Sequence, residues 1–250
     1  MATGRETAHL LENRIAMRRR LAEQGVPQPR FAAVRRISGA RAALETVGLP
    51  AVLKPADARG GRGLFLLRSF DDLEAHLHAT LAASAEREAI VESYADGDEV
   101  TAVVADAHVL AAVDRLAGDR GFGLPLAYLH PSRFFADALA EVERVAIAAV
   151  HALGLAQGTA EIQLTVGRDG VRVLDVEPGS PREPLAEAVG SETPLAVRFL
   201  GGDPAGSVED APFVVRAGRW RSGGYVVALG ATNLEALEHA DAAARLLEAR

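Results

Sequence analysis

Of the 27 lysine and arginine residues in this 250-residue chain, one is a lysine: Lys54, in the stretch VLKPADARGGRG. A hairpin loop containing Gly60, Gly61 and Gly63 can lay backbone N–H groups against a phosphate, because glycine tolerates the turns and permits close approach. Lys54, at the end of the preceding strand, adds a compact charge on a slim stem, where arginine would bring a planar fork. A solvated turn would carry the same glycines. The stretch is no P-loop, since no Gly-Lys-Ser/Thr follows, and no helix opens directly after the glycines as in a dinucleotide-binding turn. A protein kinase would place the glycines before the lysine.

A second group lies further along, in TAEIQLTV-GRDG-VRVLDVEP. Side chains alternate faces along a strand, so Glu161 and Gln163 share one face, and Asp175 and Glu177 share another. If the hairpin pairs through the Gly-Arg-Asp-Gly turn, those faces can coincide and cluster three carboxylates with an amide. Like charges on adjacent strands repel unless a cation sits between them. Mg²⁺ takes oxygen ligands, commonly one or two carboxylates plus phosphates. An acidic solvent-facing ribbon is the alternative, but Val173, Leu174 and Val176 give the second strand a central character. A third stretch, VESYADGDE, runs from strand into loop with Glu92 and Glu99 bracketing it. Extended backbone there can meet the edge of a purine, and a carboxylate can hold ribose hydroxyls.

These residues need a frame. TAHLLENRIAMRRRLAEQG reads as one amphipathic helix with a basic outer face, ended at Gly25. RFAAV is a short strand, and SGARAALETVG a capped helix closed by Gly48. PAVLK and GLFLLRS are strands joined by the glycine loop, followed by a helix capped by Ser69. EAIVESY is a strand, and VTAVVAD-AHVLAAVD a strand pair. DRGFGLPLAYLHPS reads as an irregular loop, and the run from Arg133 to Gly154 as a long helix. PREPLAEAV and TPLAVRFLG read as helices, FVVRAG and GYVVALG as strands. A capping box from Thr232 to Glu235 opens the last helix. Hairpins mixed with helices predict an α+β fold.

Composition narrows the function. A net charge of −7 argues against a broad grip on nucleic acid or an anionic membrane. The absence of cysteine excludes disulfides and thiolate metal sites. The N-terminus lacks the apolar core of a signal peptide, and no apolar run reaches the roughly 18 residues of a membrane span, so a cytoplasmic protein is expected. His76 and His78 point in different directions from one helix and make poor metal ligands. No hydrolase elbow is present. Asp114, Arg115 and Arg120 fall in a stretch expected to be a flexible loop, and Trp220 is expected to pack at the surface.

Taken in order, VGLPAVLKPADARGGRG, IVESYADGDEV, GLAQGTAEIQLTVGRDGVRVLDVEPGSP and GYVVALGATNLEALEHA resemble the ATP-grasp superfamily, and within it the carboxylate–amine ligases, from about Asn13 onward. The resemblance implies two α+β subdomains gripping ATP. It divides the chain into a helical lead-in (1–48), a lid subdomain (49–93), a catalytic subdomain (94–205) and a C-terminal strand–helix element (206–250). It implies Lys54 on the α/β-phosphates, Gly60, Gly61 and Gly63 as a closing lid, and Arg14 as a second phosphate cation where lysine is common. Glu92, Tyr94 and Ala95 would line adenine, and Glu99 would hold the ribose. Asp175 and Glu177, with Glu161 or Gln163, would ligate Mg²⁺.

The chain departs from the pattern in DVEP, where Glu usually replaces Asp175 and Asn replaces Glu177, and in Arg182, a catalytic candidate three residues late. Relatives often begin with a further domain of about 100 residues that shapes the acceptor site. Here about a dozen residues precede NRIAMRRRL, so a partner supplying that domain is an expectation, and a homodimer is expected separately from the frequency of homodimers at this chain size. The implied reaction joins a small carboxylate to an amine through an acyl phosphate. The rival is a non-catalytic nucleotide-binding module with a regulatory or structural role, and no residue favours a carboxylase route through carboxyphosphate.

Overall fold

A computed structural model describes residues 4–58, 61–118, 125–179, 184–202, 211, 213–220 and 223–248. The lead-in forms two helices rather than one, α1 (Gly4–Glu12) and α2 (Arg14–Glu23). The break is at Asn13, whose extended backbone lets its side-chain oxygen accept from the N–H groups of Ile15 (2.9 Å) and Ala16 (3.1 Å). Asparagine competes with the helix for its own backbone, and here it caps a new one. Gly25 then closes α2 with φ +67°.

The first sheet contains β1 (Phe31–Val34), β2 (Ala51–Pro55), β3 (Phe65–Leu67) and β4 (Ala89–Ser93), in the order β1-β4-β2-β3. Every pairing is antiparallel. Helices α3 (Ala40–Val47) and α4 (Phe70–Ala83) contribute Leu44, Val47, Leu73, Leu77 and Leu81 to a core with Leu53, Leu67 and Val91. Ser69 caps α4, as the sequence predicts, and does so in a reciprocal box with Asp72. The cap expected on α3 is not formed: a 3-10 turn, Ile37–Gly39, leads in without a side-chain bond.

The second sheet holds β5 (Asp98–Ala105), β6 (His108–Ala117), β7 (Pro125–His130), β8 (Thr159–Gly167), β9 (Gly170–Pro178), β10 (Leu195–Phe199), β11 (Val214–Trp220) and β12 (Gly223–Leu229). Its order is β11-β12-β10-β7-β6-β5-β8-β9. Helix α5 (Ala136–Ala152) packs Val142, Val145, Ala149 and Val150 beside Val100, Ile162 and Val173, and α6 (Asn233–Glu248) covers β10 and β12 through alanines. This is an α+β architecture.

Several expectations fail here. The stretch read as an irregular loop contains β7, because Pro125 and His130 bracket apolar residues that bond to β6 on one side and β10 on the other. TPLAVRFLG, read as a helix, is strand β10 between β7 and β12, and only Leu185–Ala188 makes a 3-10 turn. A five-residue apolar run has too few residues for periodicity to separate strand from helix, and burial on both faces of a central strand decides it. The last capping box is displaced by one residue: Glu235 N–H donates to Thr232 Oγ1, while the Glu235 carboxylate accepts from Ala231 rather than Thr232.

Helix α2 connects the two sheets. Ile15 packs on Ile90 of the first and on Ala56 just past the end of β2, while Met17 and Leu21 enter the core beneath β8 and β9 of the second. The cleft between the sheets is therefore closed on one side by a helix carrying Arg14 and Arg18.

Candidate functional site

Residues Val52 and Glu92 are opposite one another in β2 and β4, so Lys54 and Glu92 project from the same face. The Lys54 ammonium lies 2.7 Å from Glu92 Oε2. Arg18 grips the same carboxylate with both edges of its guanidinium, Nε to Oε1 at 2.7 Å and an Nη to Oε2 at 2.9 Å. Its three remaining hydrogens go to the carbonyls of Val173 and Leu174 on β9, each at 2.7 Å, and to Gln28 Oε1 at 3.3 Å. Arg18 is completely buried. The basic outer face expected of this helix is thus incorrect at Arg18, which joins α2, β4 and β9. Burial pushes the Glu92 carboxyl up, but Arg18 and then Lys54 outweigh it and hold the pKa at about 2.

The arrangement explains the solitary lysine. Arg18 already occupies both Glu92 oxygens in plane, so a second cation has to approach from the side as a point charge. A second planar fork would compete for the same two oxygens.

On β9 the register is Gln163↔Asp175 and Glu161↔Glu177, which places the four predicted residues on two alternate rungs of one face, with Ile162↔Val176 between them. The register then shifts so that Leu164 faces Val173, leaving Leu174 without a rung partner. This bulge turns the Leu174 carbonyl toward Arg18 and, at 3.5 Å, Lys54. Asp175 is ion-paired with Arg14 at 3.0 Å, and Arg14 also donates to the carbonyls of Pro55 and Ala58. Burial pushes Asp175 up, yet Arg14 and then Lys54 bring it down to about 2. The same partner raises Arg14 against the opposing effect of burial.

These shifts predict an acid limb in stability. Both carboxyls ionise more easily in the fold than in the unfolded chain, so their stabilisation is complete above the ordinary carboxyl range. It is lost as pH falls from about 4.5 through about 2. Urea midpoints along a pH series should be level near neutrality and fall steeply over that window, by on the order of a few kcal/mol.

Among the described residues no three His, Asp or Glu side chains stand grouped closely enough to hold a metal. Asp175 is turned to Arg14, and Glu161 and Glu177 share one rung. That pair of carboxylates fits Mg²⁺ when phosphate oxygens complete the shell, the usual arrangement for this ion.

At the other end of the cleft, Tyr94 and Ala95 follow β4, and the Tyr94 N–H is already given to the Pro50 carbonyl at 3.0 Å. Glu99 stands opposite Arg115 on the β5–β6 rung and is ion-paired with it. Asp114 and Arg115 therefore lie in strand β6 and not in the flexible loop expected. Asp114 is buried and accepts from Ser132 Oγ and the Arg133 N–H. A cavity of about 90 Å³ is walled by Lys54, Glu92, Tyr94, Ala95, Glu99, Gln163 and Asp175, with Arg115 beside them. Arg14 adjoins it through Asp175. Glu161, Glu177, Gly61 and Gly63 are not part of that wall. Gly60, Arg120 and Arg182 lie outside the described residues.

The root of the glycine loop is fixed. Gly61 and Gly63 have φ of +74° and +72°, and the Gly63 carbonyl accepts from Thr80 Oγ1 at 2.8 Å. A Cβ on Gly63 would come within 2.8 Å of the Ala83 Cβ on α4. Gly63→Ala is expected to lower the unfolding free energy by about 1–3 kcal/mol through strain and overpacking, read by urea denaturation.

Arg18 was missed by sequence reasoning, and Arg115 was singled out only as part of a flexible loop. A signal existed for Arg18, which falls three residues after Ile15 and three before Leu21, on the apolar stripe. Arg115 gave none, because Gly and Pro nearby drew the strand boundary too early.

The sequence matches the ATP-grasp domain family over residues 19–171. The chain belongs to the ATP-grasp family. It is 27% identical over 197 residues to the carbamoyl phosphate synthase large chain of Thermomicrobium roseum, an alignment covering 73% of this chain but 17% of that protein. Among solved structures it shares the fold of the ADP complex of N5-carboxyaminoimidazole ribonucleotide synthetase, with TM-score 0.79, 18% identity and coverage of 95% of this chain and 72% of the other. An L-amino acid ligase from Bacillus licheniformis superposes with TM-score 0.75 at 16% identity, covering 97% and 73% respectively. The ATP-grasp fold anticipated from the order of the motifs is therefore present. No helix among the described residues is long and apolar enough to cross a membrane.

Proposed function

We propose that the chain binds ATP in the cleft between its two sheets and uses it to join a carboxylate to an amine. The observation that carries this reading is the convergence of Lys54, Arg14 and the β8–β9 hairpin beside the cavity bordered by Tyr94, Ala95 and Glu99. Lys54 and Arg14 supply positive charge to the triphosphate, the residues after β4 meet adenine, and Glu99 accepts from the ribose. Glu161 and Glu177 would hold Mg²⁺, which when bound neutralises phosphate charge. The cavity is smaller than the roughly 300 Å³ or more of a typical ligand pocket, so entry displaces Leu64 from its wall.

The chemistry needs no nucleophile from the chain. A substrate carboxylate oxygen attacks the γ-phosphorus, the bond to the β-phosphate oxygen breaks, and ADP leaves with an acyl phosphate formed. An amine nitrogen then attacks the acyl carbon, phosphate departs, and the nitrogen loses a proton. Positioning and charge stabilisation provide the acceleration. Gly60 and Arg182 join this reading as lid and active-site candidates.

A second reading has one observation in its favour. Lys54 and Arg14 are each engaged by an internal carboxylate, as in a cleft that binds a nucleotide without turning it over. An ADP-release screen against paired amino acids and other small acids and amines separates the two. Acceptor-dependent ADP release supports the ligase, and ATP binding without release for any pair supports the module.

A further inference from the structure

Glu99 is about one-third exposed at the mouth of the cavity, and a carboxylate so placed would ordinarily be solvated and mobile. Its side chain instead faces two neighbours on the same rung of the sheet, Arg115 on β6 and Thr165 on β8. The Thr165 hydroxyl makes no hydrogen bond among the described residues, whereas the Arg115 guanidinium holds Glu99 through Oε2. Arg115 is itself nearly buried, with its side chain 6% exposed. The neighbouring acid in sequence, Asp114, projects from the opposite face of β6 and is engaged by Ser132 and Arg133. A buried guanidinium held in strand register is a fixed anchor, and a carboxylate bound to it through one oxygen presents the other in a fixed direction.

We propose that Arg115 is a positioning residue that sets Glu99 as a rigid acceptor for the two ribose hydroxyls, so that selection for a ribonucleotide depends on the Arg115–Glu99 pair. This rests on the reading of the cavity as a nucleotide site. A diol donates two hydrogen bonds, and a preoriented carboxylate receives them without losing side-chain freedom on binding. Arg115 would act on the sugar alone and not on the triphosphate.

Calorimetric titration of the full chain with ATP and with 2′,3′-dideoxy-ATP, each with Mg²⁺, tests this. The wild type is expected to prefer ATP by about tenfold or more, the scale of a charged hydrogen bond. Arg115→Gln should reduce that preference to within about threefold by weakening ATP while leaving dideoxy-ATP affinity unchanged, and Glu99→Gln should do the same. Arg115→Lys should keep an intermediate preference, and it decides the matter if Arg115→Gln does not fold. Equal weakening of both nucleotides by the Arg115 variants, or an unchanged preference, overturns the proposal. Equal binding of both nucleotides by the wild type overturns it too while leaving the nucleotide site standing. Binding of neither removes both readings.

Discussion

Arg18→Ala is expected to lower the unfolding free energy by about 3–5 kcal/mol. The substitution leaves the fully buried Glu92 with Lys54 alone and strips the Val173 and Leu174 carbonyls of their donor. Removing one member of a buried ionic group exposes the desolvation cost of those that remain. Arg18→Lys should recover only part, because an ammonium cannot bond both Glu92 oxygens and two β9 carbonyls in one plane. Urea unfolding at neutral pH reads the effect. A loss below about 1 kcal/mol would mean that hydrophobic packing of α2, through Ile15, Met17 and Leu21, holds the sheets together without this network.

Lys54→Ala is expected to act in the opposite way, with a large effect on chemistry and a small one on folding. Glu92 keeps its bidentate Arg18, so the carboxylate stays paired and the sheet stays intact. On the proposed reading the triphosphate loses one of its two cationic partners and keeps Arg14, which should weaken ATP binding by roughly tenfold to a hundredfold. Acceptor-dependent ADP release should fall below about 1% of the wild-type rate, since the same charge stabilises the transferring phosphoryl group. Lys54→Arg should not restore it, because Arg18 already holds the plane of Glu92. Full turnover by Lys54→Ala would refute the role assigned to this residue. Normal ATP binding with lost turnover would confine that role to the chemical step.

How much of this was written in the sequence depends on whether the signal was local. The β8–β9 hairpin was legible because alternation and a Gly-Arg-Asp-Gly turn specify both strands, but the turn's register alone would set Gln163 opposite Leu174, and it is the bulge that brings Asp175 and Glu177 opposite Gln163 and Glu161. The bulge at Leu174 was not, because it serves a guanidinium from a helix about 150 residues away in the chain. Asn13 broke one helix into two through its own side chain, a local event that periodicity averaged over. Strand β10 was lost for the opposite reason: burial between β7 and β12, not any local preference, makes LAVRF extended.

In the site, Lys54 stood out against a background of arginine, and the residues from Glu92 to Glu99 by their strand-to-loop setting. The charges that hold those groups in place did not. Arg18 sits among three consecutive arginines, and helical charges face solvent by default. Its burial is a tertiary fact, set by the distance from α2 to Glu92 on β4. Arg115 is similar: its importance comes from register with Glu99, which required β6 to extend through Ala117.

The most direct measurement is a crystal structure of the chain with a non-hydrolysable ATP analogue and Mg²⁺. Triphosphate oxygens within hydrogen-bonding reach of Lys54, with the metal against Glu161 or Glu177 and the base beside Tyr94 and Ala95, are the expected result. A nucleotide bound elsewhere, with the Lys54–Glu92 pair unchanged and the cavity still closed, would contradict the account.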